Sequence, residues 1–199
     1  MNGKAPRRWL MAVALWLAAP LSAVAADSVI LGADHWCPHT CDPADGRSGY
    51  MVDIAREALA LAGLKTIYQM RPWATAMSDV RAGLIDGVVG TLASEAPDLP
   101  HNRLPLGRQV NAFVVRADDR FMLAGLNSLA NRRVATVRDY SYSPTIDAWL
   151  ADHSAQVVAQ PGNRAAESNL RRLLAGDVDV VVDDEAVLRD AIIRLGLGG

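Results

Sequence analysis

The stretch GYMVDIAREALALAGLKTIYQMRPWATAMSDVRAGLIDGVVGT, residues 49–91, carries two helix patterns and two strand patterns in alternation, and its reading decides the fold. Val52, Ile54, Ala55, Ala58, Leu59 and Ala62 recur at three- and four-residue spacing, which predicts a helix with one apolar face. Gly63 stops it. Residues 65–70 have the composition of a short strand. Pro72 suits the beginning of a second helix, because it has no N–H to lose there; Ala76, Met77 and Val80 face inward and Gly83 ends the pattern. Residues 85–92 are almost wholly apolar around Asp86, as expected of a strand buried on both faces of a parallel sheet. The order helix, strand, helix, strand predicts an α/β fold.

Gly49 with Val52-Asp53, Pro72-Trp73, and Gly83 followed by Asp86-Gly87 give this stretch a recognisable face. Two later blocks extend it: NRRVATVRDYSYSPTIDAWL, residues 131–150, and LLAGDVDVVVDD, residues 173–184. Together they make the chain resemble the bacterial periplasmic solute-binding proteins of the polar-amino-acid type, family 3. The resemblance implies a type II periplasmic-binding-protein-like fold, with two lobes that each hold a mainly parallel sheet flanked by helices. It implies residues 26–112 as the first lobe and 113–199 as the second, with a hinge near Ala112 and Val114. Members of that family continue past the point matching Gly199 with a return strand and a terminal helix, so a C-terminally truncated member, lacking the usual return into the first lobe, is expected.

Lys4, Arg7 and Arg8 precede an apolar run from residue 9 to 19 and a small-residue stretch ending in Ala25, the pattern of a cleaved secretory signal over residues 1–25. Export to the periplasm follows as an expectation. Taking those three cations from the chain's 20 leaves 17 against 22 acids, formally −5, which disfavours nucleic acid as a partner. The remaining length suffices for one good core or two small ones.

After the first predicted strand, residues 28–32, comes the segment 34–42. Cys37 and Cys41 lie close enough to pair in an oxidising compartment, so a Cys37–Cys41 disulfide is expected. The alternation of His35, Cys37, His39 and Cys41 leaves a metal or metal-complex site as the alternative, since all four are ligand types. Trp36 falls on the loop after a first parallel strand, where ligands of α/β sheets are met. Tyr50 and Trp73 open the two predicted helices, and in the resembled family aromatic residues on these loops pack against the bound molecule.

One departure from the family bears on the ligand. Where its amino-acid binders carry threonine, a second threonine two residues on and an arginine three further, this chain has Thr91, Ala93 and Ala96. The arginine that forks onto a carboxylate is absent. Residues 111–116 and 133–138 read as strands. Ser143 and Pro144 predict the cap and first residue of a helix over 144–152 whose positive end could meet an anion. The resemblance gives Ser141, Tyr142 and Ser143 that role, and gives Asp184, after the apolar run 178–182, the role of holding a ligand amino group. Residues 162–163 predict the cap of a helix over 164–175.

The resulting expectation is a binding protein, not an enzyme, that captures a small polar solute, amino-acid-like or a small organic anion, in an interlobe cleft. It would work as a monomer with an inner-membrane ABC permease or a sensor, and no cofactor is implied. The rivals are metal capture through residues 35–41 and a cyclohexadienyl-dehydratase-like enzyme, for which Asp184 or Glu185 would be the acid.

Overall fold

The computed structural model describes residues 27–197, so the signal expected over residues 1–25 lies outside the described residues. The chain builds two sheets in succession. In the first, β1 (Ser28–Ala33), α1 (Tyr50–Leu61), β2 (Lys65–Met70), α2 (Trp73–Arg81) and β3 (Gly87–Val88) form a parallel sheet of order β2-β1-β3. In the second, β4 (Asn111–Val114), β5 (Val134–Val137), α3 (Pro144–Asp152), β6 (Val157–Gln160), α4 (Ala165–Ala175), β7 (Val180–Asp184) and α5 (Glu185–Arg194) give the order β4-β7-β5-β6. β5 is parallel to β6 and β7, and β4 runs antiparallel to β7.

Local signals account for most element ends. Ser143 accepts the Ile146 N–H at 3.2 Å and Pro144 follows it, so α3 starts where cap and proline together require. Asp184 caps α5 by accepting the Ala186 and Val187 N–H groups at 2.9 and 3.3 Å. Gly49, with φ 93°, precedes α1, and a Cβ there would lie 2.4 Å from the His39 carbonyl oxygen. Only glycine lets the chain pass so close, and the contact sets α1 against the loop after β1.

Three expectations are corrected. The strand over 85–92 shortens to Gly87–Val88, because β1 pairs with it over two residues alone (Leu31 with Gly87, Gly32 with Val88). α1 buries Met51 and Val52 and half-buries Ala55 and Leu59, leaving Ile54, Ala58 and Ala62 exposed; its covered face is turned from the predicted one. α4 begins after Arg164, which takes a left-handed conformation without a side-chain cap, so residues 162–163 form the turn rather than the cap.

β4 pairs with β7 along its whole length, from Asn111 with Asp184 to Val114 with Val181. Ala112 and Val114 are thus held in the second sheet, and the chain passes between sheets upstream of them. Among the described residues it makes that passage once. Side-chain contacts must therefore hold the lobes together.

Candidate functional site

β1, β5 and β7 all point their carboxyl ends at the junction of the two lobes, the position where open parallel sheets meet ligands. The chain leaving β1 supplies Asp34 and Trp36, the chain leaving β5 supplies Tyr140 and Ser141, and β7 ends in Asp183-Asp184. A cavity of about 30 Å³ lies there, walled by Asp34, Trp36, Trp73, Glu95, Tyr140 and Ser141, with Gln109 and the chain at 89–92 completing it. Both lobes contribute. A larger cavity, about 360 Å³, is lined only by residues of the range 36–109 and lies within the first lobe under the loop before β4.

The cleft wall is cross-braced. The Trp73 indole N–H donates to Glu95 Oε1 at 2.7 Å, and Thr91 Oγ1 donates to Glu95 Oε2 at 3.2 Å, so the carboxylate is held from both sides. Trp73 and Tyr140 meet edge to face with centroids 6.4 Å apart. Tyr140 crosses the lobes to donate its hydroxyl to Asp34 Oδ2. Burial pushes the Asp34 carboxyl up to about 6 against that bond, and the neighbouring Glu95 charge adds to the rise. Burial likewise pushes the Tyr140 hydroxyl upward.

Behind this wall runs a second interlobe network. The Trp36 indole N–H donates to Asp183 Oδ1 at 3.3 Å, and the Asp184 N–H donates to the same oxygen at 2.8 Å. Asp183 is 1% exposed, its Oδ2 has no partner among the described residues, and burial pushes its carboxyl up to about 7. His39, tilted against Trp36 with ring centroids 4.1 Å apart, binds Asp184 Oδ1 through Nε2 at 2.7 Å and the Tyr50 hydroxyl through Nδ1 at 2.8 Å. With its proton on Nε2, the ring donates to Asp184 and accepts from Tyr50. Asp184 Oδ2 accepts the Val110 N–H at 2.8 Å. Burial works to raise the Asp184 carboxyl, but the bonds from His39, Val110 and Val187 outweigh it and hold it below the usual range. On the rim, Asp45 of the first lobe accepts Arg164 at 2.6 Å and Arg194 at 3.1 Å, and Arg47 meets Asp190 at 2.8 Å.

The residues singled out by sequence divide accordingly. Trp36, Trp73 and Ser141 line the interlobe cavity, and Thr91 braces Glu95 behind it. Tyr50 sits outside the cavity against His39. Tyr142 is buried, and its hydroxyl accepts the Val137 N–H at 2.8 Å. Ser143 caps α3. At this helix end Ser141 Oγ and the Tyr142 N–H both donate to Asp147, at 2.7 and 2.9 Å, and the Ile146 N–H donates to Ser143. Both oxygens of Asp184 are engaged within the protein. Ala96 is fully buried beside Trp73 and Met77.

Cys37 and Cys41 form a disulfide, so neither offers a thiolate to the alternative metal set of His35, Cys37, His39 and Cys41. His39 is committed to Asp184 and Tyr50. Glu185 pairs with Arg189 on the surface, away from the cleft. Sequence reading passed over Asp34, Glu95, Gln109 and Tyr140 as cleft residues. Asp34 follows directly on the end of β1, which is a signal for a strand-end site; Glu95 lies one residue before the alanine that replaces the family's arginine.

No family model matches the chain, and no curated protein matches it at a significant level. Solved structures do. A histidine kinase sensor domain with similarity to periplasmic binding proteins is 22% identical, with 85% of this chain and 73% of that one covered at TM-score 0.68. The ancestral amino-acid-binding protein AncCDT-1, a precursor of cyclohexadienyl dehydratase, is 16% identical over 81% and 72% at TM-score 0.66. A structure bearing on glutathione import via GshT and the cystine ABC importer TcyBC of Streptococcus mutans is 16% identical over 87% and 74% at TM-score 0.72. The fold is that of the periplasmic binding proteins, two α/β lobes with a cleft between them, as the resemblance implied. Within that fold the likeness runs to proteins described as amino-acid-binding, as import-related and as sensory.

Proposed function

We propose that this chain is a periplasmic solute-binding protein. It holds a small polar solute between its lobes and presents it, as a monomer, to an inner-membrane ABC permease or to a sensor. The observation that carries this reading is the meeting of three parallel strand ends at an interlobe cavity walled by three aromatic rings and two carboxylates. Trp36, Trp73 and Ser141 are the proposed contacts among the residues named from sequence, joined by Asp34, Glu95 and Tyr140. Thr91 holds Glu95; Tyr50, Tyr142, Ser143 and Asp184 shape the walls through their internal bonds. A signal over residues 1–25 completes the proposed organisation, and since β4 belongs to the second sheet the boundary between the lobes falls before Asn111 and not at residue 112.

No covalent step belongs to this function. The engagement of Asp184 and the surface pairing of Glu185 speak against the dehydratase-like alternative, whose acid they would supply. Binding works by population shift, since a solute touching both lobes stabilises the closed arrangement by its differential contacts.

Native mass spectrometry of the protein purified from the periplasm, with tryptophan fluorescence titration against amino acids, amines and small organic acids, tests the reading. A small organic adduct and a saturable emission change from Trp36 and Trp73 are expected. A bare protein whose emission no solute alters would overturn it.

A further inference from the structure

The chemistry of the cleft wall is one-sided. Asp34 and Glu95 are the charged side chains that line it, and no lysine, arginine or histidine does so among the described residues. The remaining lining groups are aromatic, aliphatic or uncharged. An anionic solute would find two carboxylates and no counter-charge. At the nearest helix end Asp147 already takes the Ser141 hydroxyl and the Tyr142 N–H, and its own carboxylate adds a third negative group on that side. The loop position after Glu95 presents the methyl group of Ala96, and that is fully buried.

For a cation the same wall is prepared. Trp73, Thr91 and the Leu92 N–H hold the Glu95 carboxylate in place, the last at 3.5 Å. Tyr140 binds one oxygen of Asp34, and Asp34 Oδ1 accepts no hydrogen bond from the described residues. The indoles of Trp36 and Trp73 and the Tyr140 ring line the same space, and ring faces attract ammonium groups. A cavity of about 30 Å³ admits a compact head group. A positive charge between Asp34 and Glu95 would also relieve their mutual repulsion, which already contributes to the raised Asp34 carboxyl.

We infer that the cleft selects a protonated amine carrying no carboxylate, with Asp34 and Glu95 as its anionic partners and Trp36, Trp73 and Tyr140 as its aromatic walls. The inference rests on the solute-binding reading and narrows it from polar solutes at large to organic cations. The amino-acid-like or anionic solutes expected from sequence are thereby set aside.

Isothermal titration of the full mature chain at pH 7.5 with four matched probes tests it: n-butylamine, 1,4-diaminobutane, 4-aminobutyrate and butyrate. The two amines should bind saturably, 4-aminobutyrate should bind more weakly by roughly tenfold or more, and butyrate should give no heat. Asp34→Asn and Glu95→Gln should each weaken amine binding by roughly tenfold to a hundredfold, because each removes one charge-assisted contact while keeping the acceptor for Tyr140 or Trp73. Thermal midpoints of both variants report folding, and having two variants keeps the test decisive if one is unstable. Butyrate or 4-aminobutyrate binding as tightly as the amines overturns the inference. So does amine binding that neither substitution weakens. Tight binding of glutamine or glutamate instead would sink the inference and leave the solute-binding function standing, whereas no heat from any solute of either charge would sink both.

Discussion

Asp183→Asn isolates what the buried carboxylate behind Trp36 does to stability. Asp183 is 1% exposed, and burial raises its carboxyl from 3.8 to about 7. The groups around it are the Trp36 indole N–H and the Asp184 N–H, which donate to Oδ1; the Asp184 and Asp34 carboxylates, which push the same way as burial; and the Tyr140 and Tyr142 hydroxyls, both shifted upward by burial. A carboxyl whose folded pKa lies above its unfolded one favours folding while protonated, and that stability is lost as the pH rises through the folded value. A rise from 3.8 to about 7 corresponds to about 4 kcal/mol lost between pH 4 and pH 8. Asparagine keeps the Oδ1 acceptor and has no charge to gain, so the variant should lack that loss. His35, whose pKa burial lowers, contributes with the opposite sign, but it is common to both proteins and cancels in the difference. Urea unfolding followed by tryptophan fluorescence at several pH values and constant ionic strength gives both profiles. The wild type should fall relative to Asp183→Asn by about 4 kcal/mol across this window. Parallel profiles would refute the reasoning.

Other perturbations address the contacts that hold the lobes. Asp184→Ala removes the α5 cap and the partner of His39 and of the Val110 N–H, and should cost about 3 kcal/mol in chemical denaturation; a loss below about 1 kcal/mol would show that the network contributes little. Reducing the Cys37–Cys41 disulfide, or replacing both cysteines by serine, should cost about 2 kcal/mol by the chain-entropy estimate, and an unchanged thermal midpoint with and without reductant would contradict it. Asp45→Asn unlatches Arg164 and Arg194 on the rim, so solute association and dissociation rates should both rise by roughly the same factor in stopped flow, with little change in affinity. A change confined to the dissociation rate would assign Asp45 to the bound state alone.

The fold was legible wherever its signals were local. The apolar runs of β5 and β7, and the Ser143-Pro144 start of α3, are each written in a few consecutive residues. The shortness of β3 and the turned face of α1 were not legible, since both depend on which neighbours cover them and no window of sequence reports that. The site divides along the same line. Trp36, Trp73 and Ser141 lie near strand or helix ends, and topology alone brings them to the cleft. Tyr140 reaching Asp34 across 106 residues, and His39 reaching Asp184 across 145, are pairings between lobes that local pattern cannot announce. The alanine at position 96 was visible, and with it the absence of an arginine to grip a carboxylate, although small organic anions stayed among the expected solutes. The role of its neighbour Glu95 in the cleft wall, braced by Trp73, became visible only with the fold.

The lobes and the cleft are linked by a single constraint. The described chain crosses between sheets once, so closure depends on Tyr140 to Asp34, Trp36 to Asp183, His39 to Asp184 and the Asp45 rim pairs. Several of these residues also wall or back the cavity, which means that a solute cannot enter without disturbing them. A cavity of about 30 Å³ accommodates a head group and not a whole metabolite, so the closed arrangement that a larger solute stabilises holds the lobes further apart than they stand here. Apparent affinity is then the intrinsic affinity reduced by the population of that state. Opening admits water to Asp34 and Asp183, whose carboxyls burial had raised, and a cation offers an alternative to that hydration. The network that closes the lobes and the charge that selects the solute are thus two effects of the same buried acids.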